Sequence, residues 1–425
     1  MKIPYGKGWL TFPDDLNAEL LAPKALNKNI KTPEEEEAIV KAAMSAPIDS
    51  PPLHKLARGI SNALIIISDH TRPVPSKRIL PFILDEIRTA SPRADITLLA
   101  ATGCHRGTTA DELVEKLGSE IVKNERIVVH DCDASPTVNL GALPSGSDYI
   151  VNSLAAQAEL LVAEGFIEPH FFAGYSGGRK SVLPGICNRA TVLGNHRASF
   201  IGSGFARAGI LDNNPVNRDM EAAVPMIGLK YIINVIINTE KRIVAAFAGD
   251  PIPAHRAGCA WLAPRVSVKA SKPGQIVVAG NGGAPLDQNI YQAVKGMSAA
   301  EACAAEGGVI IMCAECADGN GSDHFYRALR DCQSPRALLK DIETRQAGQT
   351  APDQWEYQVL ARILDKHRVI MVTNPQVKQD VIEMKMEYAA DLEEALNLAR
   401  ADKGANAYII VIPDGVSVIA GVFNV

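Results

Sequence analysis

The sequence predicts an α/β fold: two α/β domains with largely parallel sheets and an active-site cleft between them. Three observations lead there. The chain has 425 residues, more than a single hydrophobic core usually serves, so two or three domains are expected. Short apolar runs of strand length alternate with stretches of helical periodicity, the order of layered α/β structure with parallel strands. Scattered proline, serine and glycine over residues 263–274 read as a linker. It would join an N-terminal cofactor-binding and catalytic domain, 1–265, to a C-terminal domain, 266–425, that closes the cleft.

The elements follow in order. Residues 63–68, ALIIIS, form a buried strand that ends at Asp69-His70-Thr71-Arg72-Pro73, and Val74 to Arg88 continue as a helix. Residues 94–101 are the next strand, followed by a loop carrying His105. Thr108, Thr109, Asp111 and Glu112 then supply caps and negative charge for a helix start. Residues 158–163 form a third strand and lead through Gly165 to His170. Beyond the linker, residues 275–280, 309–312, 368–373 and 407–413 supply the strands of the second unit. After the first of these, Asn281-Gly282-Gly283 turns into a helix that puts Tyr291 and Lys295 on one face, with Gln292 beside Lys295. The last strand, 416–420, either stays in the second domain or returns to the first.

Three strand ends in the first half thus deliver polar residues on the following loop: Asp69 and Arg72, then His105, then His170 through Lys180. Ligands of open α/β sheets bind just beyond such strand ends. Lys180 lies in a glycine-rich stretch, Gly174 to Gly185, ten residues after His170 and sixteen before His196. Glycine lets backbone approach a ligand closely, while lysine and histidine offer a covalent attachment point, a metal ligand and a proton acceptor. Gly174 to Ser181 approaches the phosphate loop G-x-x-x-x-G-K-[ST], but Arg179 stands where the second glycine is needed and would crowd the phosphate-binding amides. A phosphate-loop-like nucleotide-binding enzyme is therefore the weaker alternative.

Composition excludes other classes. Lys plus Arg number 43 against 48 Asp plus Glu, without a basic block, so nucleic acid is not an expected partner. No apolar run is long enough to span a bilayer and the N-terminus lacks a leader pattern, so a soluble cytoplasmic protein is expected, with no membrane partner. The eight cysteines lack the spacing of a disulfide scaffold. Cys313-Ala-Glu-Cys316 alone is weak for zinc or redox chemistry and reads as reduced thiols at a packed strand end.

Several motifs in one order carry a family likeness: Asp69-His-Thr-Arg-Pro, Thr102-Gly-Cys-His-Arg, Glu168-Pro-His170, Gly174 through Gly185, Gly194-Asn-His196 and Tyr291-Gln-Ala-Val-Lys295. In these the chain resembles the nickel-pincer-dependent lactate racemases and related 2-hydroxy-acid racemases and epimerases. The resemblance implies nickel held in a pyridinium-3,5-bisthiocarboxylic acid mononucleotide, by two sulfurs, a ring carbon and one histidine. It assigns the covalent attachment to Lys180 and the nickel-ligating role to His196. His105 and His170 would be the two bases, one for each enantiomer. Arg72, Lys295 and Gln292 would anchor substrate or cofactor, and Asp69, Thr71 and Tyr291 would line the cofactor. Trp355, an aromatic residue on a helical pattern, reads as core or surface.

The implied chemistry is consistent with those residue types. The α-proton of a 2-hydroxy acid is weakly acidic, and hydride removal avoids that difficulty by giving a planar 2-keto acid that accepts hydride on either face. The expected partners are a small 2-hydroxy acid and, transiently, the enzymes that mature the cofactor. A non-catalytic nickel- or cofactor-binding protein is a further alternative, needing only Lys180 and His196. It would leave His105, His170 and Lys295 without purpose.

Overall fold

A computed structural model describes the chain except residues 14, 15, 24, 25, 27–29, 424 and 425. Two six-stranded sheets organise it. The first runs Ile243–Gly249, Leu229–Ile237, Leu160–Phe166, Asn62–Ser68, Asp95–Ala101 and Arg126–Val129. Only the Leu229–Ile237 and Ile243–Gly249 pair is antiparallel. The second runs Glu387–Ala389, Arg368–Val372, Ala304–Cys313, Gly274–Gly280, Ile409–Ile412 and Ala18–Leu20, parallel throughout.

The central strands read as unbroken apolar runs because both sheet faces are covered. In Asn62–Ser68, Ala63 through Ile67 are all buried. Helix Ser76–Ala90 covers one face with Ile79, Leu80, Ile83, Leu84 and Ile87, the three- and four-residue spacing of a helical stripe. A second apolar cluster joins the other face of that sheet, through Leu64, Ile66 and Leu161, to Val277, Ile310 and Ile412 of the second sheet. Helices Pro215–Ile227, Ile290–Glu301 and Gln354–Lys366 contribute to this joint core. The two sheets therefore share packing behind a cleft. Thr109 caps helix Ala110–Leu117 reciprocally with Glu112, as the sequence indicated.

Three expectations are corrected. The linker is largely regular structure: helix Pro251–Val266 crosses the expected boundary at 265, and strand Ser267–Ala270 follows directly. That helix forms because Ala254, Gly258, Cys259, Leu262 and Val266 bury one face, which overrides the local signal of Pro264. The N-terminal span is divided as well, since Ala18–Leu20 pairs with Ile409–Ile412 while Ile3 and Phe12 pack into the second sheet's outer core. The final strand, Ile419–Val422, starts later than expected and pairs with Ser267–Ala270 in a separate two-stranded ribbon, joining neither large sheet. Among the described residues no helix is long and apolar enough to cross a membrane.

Candidate active site

Strands Leu160–Phe166, Asn62–Ser68 and Asp95–Ala101 are adjacent and parallel, so the loops beyond their carboxyl ends emerge on one sheet edge. This is why Asp69, Arg72, His105, His170 and Lys180 meet although they span more than a hundred residues of sequence. All five line one pocket with His196, and the helices of the second half close it with Tyr291, Gln292, Lys295, Trp355 and Glu356. Thr71 stands on the pocket's first loop, tied to Asp69.

His105 is held by a carboxylate. Its Nδ1 lies 2.6 Å from Asp69 Oδ2, and the Thr71 amide and hydroxyl donate to Asp69 Oδ1 at 3.1 and 2.6 Å. Asp69 is buried, which opposes ionisation, but the His105 hydrogen bond and the His105 and Arg72 charges outweigh burial and hold its carboxyl far below the usual range. An ionised Asp69 keeps the His105 proton on Nδ1 and leaves Nε2 as an acceptor. The family resemblance placed Asp69 along the cofactor. Its orientation of His105 was not foreseen.

His170 and Lys180 form the next layer. Strands Pro169–His170 and Gly174–Tyr175 make a tight antiparallel pair, and the Ala173 amide donates to His170 Nδ1 at 3.2 Å. Neutral His170 therefore carries its proton on Nε2, which lies 3.4 Å from Lys180 Nζ. Burial, reinforced by the charges of Lys180, Lys295 and Arg72, pushes His170 well below its ordinary pKa. Burial, with Arg72, Arg179 and Lys295, likewise pushes Lys180 well below the usual lysine range. Burial thus works toward the uncharged amine of Lys180, the form that acts as a nucleophile, and its nearest ring nitrogen is His170 Nε2.

His196 follows the short helix Arg189–Asn195 and is 4 % exposed. Its Nδ1 donates to the Val192 carbonyl at 3.1 Å, which fixes the tautomer and leaves the Nε2 lone pair available. Burial, followed by the Lys180 charge, holds the imidazole down to about 3, so it is neutral. Phe172 and Trp355 pack edge-on against the ring, with centroids 5.1 and 5.0 Å away. Trp355 also donates from Nε1 to the Tyr291 hydroxyl at 3.0 Å. It belongs to the pocket and is not the core or surface residue its pattern suggested.

The second half contributes charge. Asn289 caps helix Ile290–Glu301, and one turn on Lys295 Nζ donates to Gln292 Oε1 at 2.6 Å. Burial and the nearby Arg72 charge lower the Lys295 pKa, whereas burial raises that of Glu356. Burial also raises Glu168, to about 7. Two carboxylates escaped the sequence reading. Glu164 accepts from the Ser68 amide and the Ser68 and Ser76 hydroxyls at 3.0–3.1 Å, fixing the start of the Asp69–Arg72 loop. Its Oε2 and Oε1 of Glu356 are buried without hydrogen-bond partners among the described residues. Buried carboxylates inside strand and helix patterns carry no spacing signal, and only their burial identifies them.

The phosphate-loop alternative loses its geometry. Gly178–Ser181 is a single 3-10 turn, and the fully buried Arg179 side chain donates to the Asn217 side chain and the Tyr175 and Ala173 carbonyls at 2.7–3.0 Å. Arg179 points into the core and ties the Lys180 loop to the fold, where the sequence reading had it crowding a phosphate cradle. His255, 2.8 Å from its Nη1, completes that anchor. Cys313 and Cys316 are buried free thiols at the end of Ala304–Cys313.

Comparison with known proteins accords with this geometry. Residues 5–209 match the family model described as the lactate racemase N-terminal domain, and residues 269–420 match the lactate racemase C-terminal domain. A lactate racemase of Thermoanaerobacterium thermosaccharolyticum is 50 % identical over 422 residues, covering 99 % of this chain and 98 % of that protein. A lactate racemase of Lactiplantibacillus plantarum is 47 % identical over 420 residues, covering 98 % of each. The solved lactate racemase apoprotein from T. thermosaccharolyticum superposes with a TM-score of 0.94 at 49 % identity over 99 % of both chains. A Thermotoga maritima protein at 17 % identity and a TM-score of 0.65, covering 93 % of this chain and all of its own, shares the fold alone. The chain belongs to the lactate racemase family.

Proposed function

We propose that this chain is an isomerase that racemises a 2-hydroxy acid, lactate first among them, with a nickel-pincer pyridinium mononucleotide attached through Lys180. One observation carries the reading: the buried Lys180 amine and His196, whose Nε2 lone pair is free, face one pocket that also holds two imidazoles and a pair of cationic side chains. The donor set fits the group. Lys180 offers the nucleophile for an amide-type link, and His196 offers an imidazole nitrogen backed by a carbonyl, suited to nickel. When bound, the group supplies an acceptor for the hydride of the substrate's α-carbon.

The chain's own residues do the rest. Arg72 and Lys295 provide the positive field for the substrate carboxylate, Arg72 as a planar fork and Lys295 as a point charge oriented by Gln292. His105 Nε2 takes the hydroxyl proton from one enantiomer, and Asp69 stabilises the resulting imidazolium. His170 serves the other. Because Ala173 holds its Nδ1, that role requires the backbone bond to open and the ring proton to move to Nδ1. Tyr291, Trp355 and Phe172 form an apolar wall that limits water around the reacting carbon. The eight free thiols suit the reducing cytoplasm, where the cofactor-maturing enzymes would act on Lys180.

The test is production of the chain with and without those maturing enzymes, followed by a panel of single-enantiomer 2-hydroxy acids. Interconversion of L- and D-lactate only in the matured preparation is expected. A matured, nickel-containing preparation that racemises no acid of the panel would overturn the reading, as would full activity in the unmatured chain.

A further inference from the structure

Asp353 lines the pocket beside Trp355 and Glu356, and the proposed reaction gives it no part. It opens helix Gln354–Lys366 in an unusual way. An aspartate at that position ordinarily sits in extended backbone and accepts from amides of the first helical turn. Asp353 has φ of 58° and ψ of 11°, in the left-handed region, and its side chain caps nothing. Its carboxylate is turned to two hydroxyls instead: Ser322 Oγ donates to Oδ2 at 2.5 Å, and the Tyr291 hydroxyl donates to Oδ1 at 3.4 Å. A missing cap costs helix stability, and left-handed backbone is uncommon outside glycine, although aspartate adopts it more readily than most residues. Two local preferences are set aside for one pair of contacts, the pattern of a side chain required elsewhere.

Both hydroxyls are themselves fixed. Ser322 Oγ accepts from the Phe325 amide at 3.5 Å as the cap of helix Asp323–Asp331, and the Ser322 amide donates to Asn320 Oδ1 at 3.1 Å. The Tyr291 amide donates to the Asn320 carbonyl at 3.1 Å, and its ring packs edge-on against Phe325 with centroids 5.3 Å apart. Proton directions follow from what each group can do. Trp355 Nε1 only donates, and it gives its proton to the Tyr291 oxygen at 3.0 Å, so Tyr291 gives its own proton to Asp353. The Tyr291 link is the longest of the series, and Asp353 is the acceptor that this hydroxyl finds among the described residues. The series ends on His196. The Trp355 ring lies 5.0 Å from the imidazole, and one turn along the same helix Gln358 Nε2 donates at 2.9 Å to the carbonyl of Ala198, two residues after His196.

We propose that Asp353 is a positioning residue: through the Tyr291 hydroxyl and the start of helix Gln354–Lys366 it holds the Trp355 ring against His196, and so fixes the direction in which that imidazole presents Nε2 to the pocket. The Val192 carbonyl holds His196 at Nδ1 alone. A ring pinned at one atom can still tilt about that bond, and the edges of Phe172 and Trp355 on its flanks limit the tilt. Phe172 belongs to the first half of the chain and Trp355 to the second, so the orientation of His196 depends on both halves being in place. Asp353 and Ser322 tie the Trp355 side of that clamp to the loop that precedes helix Asp323–Asp331.

The tether belongs to the polypeptide and is tested without cofactor; only its effect on rate rests on the proposed function. Trp9, Trp261 and Trp355 are the three tryptophans of the chain, so Trp9→Phe with Trp261→Phe leaves Trp355 as the reporter in the unmatured full-length protein. In that parent Asp353→Gly accepts the left-handed backbone and deletes the carboxylate, whereas Asp353→Asn keeps an acceptor for Tyr291 and offers Ser322 Oγ a donor in place of an acceptor. Acrylamide should quench Trp355 fluorescence about twofold more steeply in Asp353→Gly than in the parent, and Asp353→Asn should restore most of the protection. Tyr291→Phe keeps the ring and reads the same link should Asp353→Gly fail to fold; it should also expose Trp355, and adding Asp353→Gly should do no more than Tyr291→Phe alone. Parental quenching in Asp353→Gly or Tyr291→Phe, equal disturbance in the Gly and Asn variants, or additive effects in the double variant would overturn the tether. Matured enzyme with a measured parent rate gives the second reading. Asp353→Gly should lower racemisation about ten- to a hundredfold with nickel retained, the scale of a slightly misplaced group, and Asp353→Asn should recover it. Full rate in Asp353→Gly would overturn the link to His196. A parent that racemises nothing counts against the proposed function, and the quenching result still decides the tether.

Discussion

Lys180 illustrates how far a side chain's surroundings decide its chemistry. On a solvated surface it would be an ammonium, but burial among Arg72, Arg179 and Lys295 favours the free amine. Lys180→Ala should therefore carry no adduct after co-production with the maturing enzymes while retaining cooperative unfolding. Intact-protein mass spectrometry reads this directly, and an unchanged adduct mass would transfer the attachment elsewhere. His105→Ala and His170→Ala should each lower racemisation by about 10²–10⁴, the usual worth of a general base, while keeping nickel. Metal analysis that found either variant without nickel would make that histidine a ligand. Lysine and histidines were legible in the sequence because they stand in compact motifs. Asp69 as the partner of His105, and Glu164, Glu356 and Trp355 as pocket walls, depend on contacts between distant segments and had no local signal.

At the scale of elements, the site exists because three parallel strands end side by side and because the Lys180 loop is packed from beneath. Gly177 is a tight point of that loop. It has φ of +76°, and an added Cβ would lie 2.6 Å from Asn234 Oδ1 and 2.7 Å from the Phe166 carbonyl. Gly177→Ala should cost about 2–4 kcal/mol through backbone strain and clash, and should reduce the Lys180 adduct in parallel. Urea denaturation and mass spectrometry measure the two; wild-type stability with full adduct would mean that the loop is not held as described. The strand runs and the capped helix at Thr109 were legible because burial on both faces and capping chemistry leave local patterns. Helix Pro251–Val266 was not, since Gly258 packs against Ile167 and Phe247, a tertiary contact that local proline and serine content conceals. The three-residue strand Ala18–Leu20 is too short for periodicity to mark.

The whole molecule joins its halves by a shared core and by an N-terminal segment that adds to the second sheet, so stability and site integrity are coupled. Buried neutral histidines give that stability a pH dependence of definite sign. His196 has a folded pKa of about 3 against an ordinary 6.5, so its contribution is complete above about pH 6.5 and is lost as pH falls toward 3. Between pH 7 and pH 4.5 it should account for roughly 2–3 kcal/mol of the apoprotein's loss, a part that His196→Gln removes. Equal pH slopes in the two proteins, measured by urea denaturation, would contradict a buried neutral His196.

The proposed reaction moves a hydride from the α-carbon and returns it to the same carbon, whereas an imidazole acting on the C–H bond would exchange that hydrogen with solvent. Racemising the preferred acid in deuterated water, with the matured enzyme, separates the two by mass spectrometry of recovered substrate. Retention of the original α-hydrogen through complete racemisation, with a trace of 2-keto acid on quenching, is the predicted result. Deuterium entering the α-carbon as fast as the enantiomers interconvert would contradict the hydride route and, with it, the roles given to Lys180 and His196.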